Sequence, residues 1–429
     1  MACSILIGCA PGKILIDGQP LRKFISNNTV LGRGQTGLAL YDPVRKKYIA
    51  RYHSHEFYTP ASIMKLFTFY AAINMLGDSI PSIRYCISDD TLFFSGLGDP
   101  TVLDDRFPLQ PVFSFLKEYP GALAYCPAVS AERRLGPGWA WDDFIYDYSP
   151  EKSAFPVYGN MVRIINRQSG PQPLIEPEIF RDSFQSLNGS STELPGEIIF
   201  REERSNKFTL VSQPLTADTL RIPFIVDDGL IVQMLEDTLG KKIVLRQFPQ
   251  HCPMRVLNSQ PFDSVMKIML TVSDNFIAEQ TLLGISALRH DTISSSRAIL
   301  ESIEQLFPGM EDKMHWVDGS GLSRYNLVNP EGVIMVLNKI LEAVPLTRLI
   351  SLLPNNGMSG KMLKSIREEV PFIYGKSGSM THVYNISGFL ETRRGKILVF
   401  CIMNNNFNAP IEDAEYQSGR ILISIRDKF

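Results

Sequence analysis

No apolar run in these 429 residues approaches the ~20 that a membrane-spanning helix requires; one of the longest, Ile397 to Met403, is a fraction of that. Neither sign of charge dominates, since 43 lysines and arginines face 45 aspartates and glutamates for a net charge of −2. Without a basic stripe nothing neutralises a phosphate backbone, so nucleic acid is not an expected partner. There is no GxSxG turn of the kind that presents the nucleophile in α/β-hydrolases. His53 and His55 lie close together, but His55-Glu56 lacks the second histidine of HExxH and no ligand cluster follows, so no metal centre is expected. Gly32-Arg33-Gly34-Gln35-Thr36-Gly37 fits GxGxxG in letters only. No clear strand precedes it and a strand follows, whereas a dinucleotide site needs a strand before and a helix after. Internal repeats and low-complexity tracts are also missing. What is present is a globular composition, 44% hydrophobic, on a chain longer than one core usually serves, so two or more packed units are expected.

The first residues, Ala2-Cys3-Ser4-Ile5-Leu6-Ile7-Gly8-Cys9-Ala10, read like the end of a secretory signal without its basic start. Leu6-Ile7-Gly8-Cys9 resembles a bacterial lipobox, which implies a lipid anchor at Cys9. A short buried or frayed segment is the plainer alternative. Cys86, Cys126, Cys252 and Cys401 then remain, and four cysteines allow three pairings as well as free thiols.

Alternation from Gly34 to Tyr41, a turn at Asp42-Pro43 and a return over Lys47 to Tyr52 predict a hairpin. Thr59 is placed to cap a helix with Pro60 in its first position, and Leu66 to Leu76 is apolar on nearly every face until Gly77. Such a helix belongs in a core. From about Tyr85 to Pro253 short runs alternate with Pro-rich and Gly-rich breaks, including Gly136-Pro137-Gly138 and Ser186 to Gly196, as in an inserted region. Helical spacing returns over Pro261 to Val272 and Phe276 to Leu288, with a polar break at Ser273-Asp274-Asn275. Phe372 to Met380, Val383 to Glu391 and Lys396 to Met403 read as strands, and Ile411 to Ile425 as a helix. Strands at both ends of the chain predict one antiparallel sheet assembled from the two termini and packed on helices, an α/β (α+β) arrangement.

Within that frame three short motifs stand in order: Ser62-Ile63-Met64-Lys65, Ser273-Asp274-Asn275 and Lys376-Ser377-Gly378. Singly they are weak, since lysine also lies three places after Ser114, Ser149 and Ser264, and SxN recurs at Ser26 and Ser186. Their settings strengthen them: the start of a buried helix, a break between helices, and a C-terminal strand. In the first turn of a helix Ser62 sits near the positive end of the dipole with Lys65 on the same face, so nucleophile and base are neighbours. Lys65 must be neutral to accept a proton, which burial and the charge of Lys376 promote. Ser273 can relay protons, and the Asn275 amide can hold a substrate peptide group. Lys376 with the Ser377 and Ser379 hydroxyls suits a carboxylate, and the N–H groups of Ser62 and Ser379 suit an oxyanion.

The ordered set resembles the signature of penicillin-binding proteins and class A β-lactamases. Thr59 to Thr68, Gly96-Leu97-Gly98-Asp99-Pro100-Thr101, Gly138 to Asp143, Ser273 to Glu279, Asp318 to Arg324 and Gly375 to Gly378 further resemble the D-Ala-D-Ala carboxypeptidase/endopeptidase family, the low-molecular-mass class C penicillin-binding proteins. The similarity runs from about Gly34 onward and includes the inserted region, which β-lactamases lack. It implies a β-lactamase/transpeptidase-like domain over 10–84 and 254–429, interrupted at 85–253 by what are expected to be two small nested domains, with 1–9 a signal remnant. It also implies catalytic Ser62, Lys65 and Ser273, and substrate binding by Asn275, Lys376, Ser377, Gly378 and Ser379. The implied partners are peptidoglycan stem peptides and β-lactam antibiotics, with no metal or organic cofactor, on the periplasmic side of a bacterial envelope. Asp318 to Arg324 is expected to be a structural loop shaped by Gly319 and Gly321. Ser377 replaces a threonine more usual in the family, and similarity is weak between about Arg163 and Gly229. A serine β-lactamase and a peptidoglycan-binding protein without turnover are the competing functions.

Overall fold

The computed structural model describes residues 19–166, 173–187, 199–211, 218–357, 366 and 369–429. Cys9, with the expected lipid anchor, lies outside them, as does most of the segment from Ser186 to Gly196. In chain order the main elements are α1 (Gln19–Asn27), β1 (Gln35–Asp42), β2 (Lys47–Tyr52), α2 (Lys65–Met75), β3 (Ser79–Ser88), β4 (Thr91–Gly96), β5 (Ala122–Tyr125), β6 (Met161–Ile165), β7 (Thr219–Pro223), α3 (Asp228–Leu239), β8 (Ile243–Leu245), β9 (Arg255–Pro261), α4 (Phe262–Thr271), α5 (Asn275–Arg289), α6 (Pro330–Ala343), β10 (Ile373–Met380), β11 (Val383–Glu391), β12 (Ile397–Asn405) and α7 (Ile411–Lys428). They fall into two compact units. One holds the chain up to Leu66 with Met310–His315 and Asn326–Phe429; the other holds Phe67–Gly309 and Trp316–Tyr325.

The first unit is built on a five-stranded antiparallel sheet in the order β10-β11-β12-β1-β2. Strands from both ends of the chain meet where β1 pairs β12, from Gln35 opposite Asn405 to Tyr41 opposite Val399. The hairpin of β1 and β2 closes because the Asp42 carboxylate accepts from the backbone N–H of Val44 at 3.1 Å and of Arg45 at 2.9 Å, a local side-chain turn. Between β11 and β12 the expected turn at Arg393-Arg394-Gly395 is present, with Gly395 N–H on the Thr392 carbonyl. Leu38, Leu40, Ile386, Leu390, Phe400 and Ile402 form a core with Leu21 and Ile25 of α1 and Ile421, Leu422 and Ile425 of α7. Burial of that apolar surface is the main favourable term for this unit.

In the second unit a mixed sheet runs β8-β5-β4-β3-β9, with β4 parallel to β5 and β5 parallel to β8. Ile83, Leu92, Phe94, Leu123 and Tyr125 pack there with Phe155, Val162, Ile222, Met234 and Leu235. Cys86 of β3 is bonded to Cys252 across 166 residues of sequence. Cys126 and Cys401 are buried free thiols.

The start of α2 departs from expectation. Thr59 does not cap it, Pro60 stands before the helix, and Ala61–Met64 form a 3-10 turn that passes into α2 at Lys65. The reason lies in the neighbouring strands. The Asn405 side chain holds the Thr59 N–H at 2.7 Å, and Ala61 adopts a left-handed φ of 48°, which an α-helical first turn does not allow.

Candidate active site

Ser62 stands in the 3-10 turn, and Lys65 begins α2 three residues later. The Lys65 side chain is fully buried, and its Nζ donates to Ser62 Oγ at 3.0 Å. At that separation a neutral amine can instead accept the hydroxyl proton. The turn is held from the sheet: the Asn385 amide donates to the carbonyls of Thr59 and Pro60, both at 2.9 Å. Asn405 accepts from Thr59 N–H through Oδ1.

Strand β10, at the edge of the sheet, runs against this turn. A Cβ at Gly378 would lie 2.7 Å from the Pro60 carbonyl oxygen and 2.8 Å from Ser62 N, so only glycine permits the approach. Lys376, two residues earlier, is buried, with its Nζ donating to the Ser377 carbonyl at 2.7 Å. Burial and then the charge of Lys65 hold its ammonium well below the usual lysine range. Ser377 is half-buried and Ser379 exposed. This unit therefore brings together Ser62, Lys65, Lys376 and Gly378, with Ser377 and Ser379 on the same edge strand.

Ser273 and Asn275 belong to the second unit, in the break between α4 and α5. Ser273 has φ 64°, and Asp274 caps α5 by accepting from Ile277 N–H at 2.7 Å. Arg106 pairs with the other Asp274 oxygen and forks onto Asp104 at 2.7 and 3.0 Å. Burial opposes the guanidinium charge, but Asp104 and Asp274 outweigh it and raise its pKa. The Asn275 amide donates to the Tyr148 carbonyl at 2.9 Å. All three motif residues line a cavity of about 290 Å³ together with Arg106, Tyr148, Arg163 and Arg221.

In the same unit the Asp318 to Arg324 loop is organised around one carboxylate. Asp318 accepts from Gly321 N–H at 2.8 Å, Ser323 N–H at 2.6 Å and Trp139 Nε1 at 2.9 Å, and Gly321 has φ 82°. Glu279 of α5 accepts from Ser320 N–H at 2.8 Å. Burial, and next the Asp318 charge, push the Glu279 carboxyl up to about 7.

Sequence reasoning missed Asn385, Asn405 and Arg106. Asn385 carries a faint signal as an amide inside a largely apolar strand, and Asn405 ends another; Arg106 carries none toward Asp274, which lies 168 residues away.

Residues 19–423 match the D-Ala-D-Ala carboxypeptidase 3 (S13) family. The D-alanyl-D-alanine carboxypeptidase DacB of Haemophilus influenzae is 23% identical over 403 residues, covering 85% of this chain and 84% of the relative. A D-alanyl-D-alanine carboxypeptidase of Actinomadura is 24% identical over 466 residues, covering 94% and 85%. The crystal structure of penicillin binding protein 4 from Haemophilus influenzae superposes with a TM-score of 0.72 at 21% identity, over 93% of this chain and 99% of that one. This last likeness establishes the shared fold.

Proposed function

The chain belongs to the D-Ala-D-Ala carboxypeptidase 3 (S13) family, and from that premise we propose that it is a serine D-Ala-D-Ala carboxypeptidase/endopeptidase of peptidoglycan stem peptides with Ser62 as nucleophile. The observation that carries the reading is the 3.0 Å contact between Ser62 Oγ and the buried Lys65 Nζ. In the proposed reaction Lys65 takes the Ser62 proton as Oγ attacks the carbonyl carbon of the penultimate D-Ala. The backbone N–H groups of Ser62 and Ser379 stabilise the oxyanion. The tetrahedral intermediate expels the terminal D-Ala, whose amine receives a proton, and water then hydrolyses the ester. Lys376, Ser377 and Ser379 bind the terminal carboxylate, and Gly378 allows the strand its close approach. Ser273 relays protons and Asn275 holds the substrate amide. β-Lactams acylate the same serine.

Envelope location belongs to the same reading. A disulfide such as Cys86–Cys252 is at home in an oxidising compartment, which favours the periplasmic side, and Cys9 is the proposed lipid anchor. Among the described residues no helix is long and apolar enough to cross a membrane. We also propose that 85–253 is inserted into a catalytic domain formed by 10–84 and 254–429.

Release of D-Ala from a diacyl-Lys-D-Ala-D-Ala peptide tests the reading. The wild-type protein is expected to release it with turnover and Ser62→Ala to release none. Equal release by both would move the nucleophile elsewhere.

A further inference from the structure

The turn that carries Ser62 is unfavourable on its own terms. Ala61 is buried and has φ 48°, a region that residues with a Cβ seldom occupy. The turn before α2 also has no side-chain cap. Something outside the turn must hold it.

Two strand asparagines do so. Asn385 and Asn405 are 0% and 3% exposed, and a buried amide is costly unless its donors and acceptor are satisfied. Asn385 uses both sides of its amide: Nδ2 donates to the Thr59 and Pro60 carbonyls, while Oδ1 accepts from Asn404 N–H at 3.0 Å and Asn405 Nδ2 at 3.2 Å. Asn405 grips Thr59 twice, accepting from its N–H at 2.7 Å and donating to its carbonyl at 3.3 Å. Six hydrogen bonds thus converge on this network, four of them on the two residues preceding Ala61. Asn385 is also the cross-strand partner of Gly378, the residue whose missing side chain admits β10 to Ser62 N. One position in β11 is therefore tied both to the nucleophile turn and to the strand that faces it.

We infer that Asn385 and Asn405 are positioning residues for acylation: they hold the Thr59–Pro60 backbone so that the strained Ala61 turn presents the Ser62 hydroxyl and N–H in reactive register. The inference rests on Ser62 being the nucleophile. Stored backbone strain at a functional site persists only where surrounding structure enforces it. The two amides supply that enforcement.

The experiment follows penicillin acylation by intact mass at several drug concentrations, separating initial affinity from the acylation rate constant, alongside thermal melting. Asn385→Ala and Asn405→Ala are expected to lower the rate constant of folded protein on the order of tenfold to a hundredfold, the usual cost of a small misplacement, with initial affinity nearly unchanged. Asn385→Asp adds a readout that packing alone does not move. Its carboxylate cannot donate, but its protonated form recovers one donor, so its rate relative to wild type is expected to rise as the pH falls from about 8 to about 5. Variants that melt at lower temperature yet acylate at the wild-type rate while folded would overturn the inference. If Asn385→Ala does not fold, Asn405→Ala and Asn385→Asp decide the matter. Wild-type protein that takes no penicillin would bring down the Ser62 reading and this inference with it; wild-type labelling with unaffected variants brings down the inference alone.

Discussion

Ser62, Lys65 and Lys376 form a small electrostatic problem with a chemical use. Two buried ammonium groups beside each other cannot both keep their charge cheaply, and Lys376 is held well below the ordinary lysine value by burial and then by Lys65. A neutral amine is what a proton-accepting lysine requires. The sign follows from Lys376: acid restores its proton and leaves the pair without a neutral amine, so penicillin acylation should slow as pH falls through the lowered Lys376 pKa and recover as pH rises. Lys65→Arg, whose guanidinium stays charged, should acylate about 10²-fold to 10⁴-fold more slowly. Rates from quenched intact-mass time courses check both, and a flat pH profile with a fully active Lys65→Arg would remove the amine base. The contact of Ser62 with Lys65 was legible in the sequence because a three-residue spacing at a helix start dictates it, and Lys376 was picked out by the Lys376-Ser377-Gly378 motif on a C-terminal strand. Asn385 and Asn405 were not, since their partners at Thr59 and Pro60 lie more than 300 residues away in sequence and only sheet register brings them in.

The break between α4 and α5 shows what a short element transition can carry. Its polar residues were readable as a break, and Asp274 caps α5 as an aspartate there should. The unreadable part is the tether: Arg106 grips both Asp104 and Asp274, fixing a segment that includes the positive-φ Ser273. Arg106→Ala is expected to lower kcat/KM for D-Ala release about tenfold or more through displacement of that break. Arg106→Lys should recover only part of this, because an ammonium lacks the fork that holds two carboxylates. Wild-type kinetics in Arg106→Ala would show the tether to be idle. One turn along α5, Glu279 sits with its carboxyl raised to about 7. A raised carboxyl binds its proton more tightly in the folded state, so its contribution is fully present below the unfolded value near 4.5 and is lost as pH rises through about 7. Glu279→Gln keeps an oxygen for Ser320 N–H and has no charge to bury. Its melting temperature relative to wild type is therefore expected to climb between about pH 5 and pH 8; a constant difference across that range would contradict the assignment.

At the scale of the whole molecule the chain returns to its starting sheet after a long excursion. That return was foreseeable because both termini carry strand patterns, and β1 against β12 realises it. The 3-10 turn at Ser62 was not foreseeable, because Thr59-Pro60 is an ordinary helix opening by local rules and is overridden by bonds from distant strands. The central claim concerns chemistry, that one serine in this molecule is acylated and then released by water when the leaving group is D-Ala. A peptide's terminal D-Ala departs and clears a path for water, whereas an opened penicillin ring stays tethered, and rapid hydrolysis then needs a separately aimed base. The most direct measurement is intact-protein mass after exposure to a penicillin, with the adduct mapped by peptide mass and D-Ala release assayed on the same sample. The account predicts a single penicilloyl group on Ser62 that persists for many minutes, its absence in Ser62→Ala, and D-Ala turnover by the unlabelled protein. Rapid catalytic hydrolysis of the penicillin without D-Ala release would make the protein a β-lactamase, and stable labelling without any peptide cleavage would make it a binding protein; either result contradicts the account.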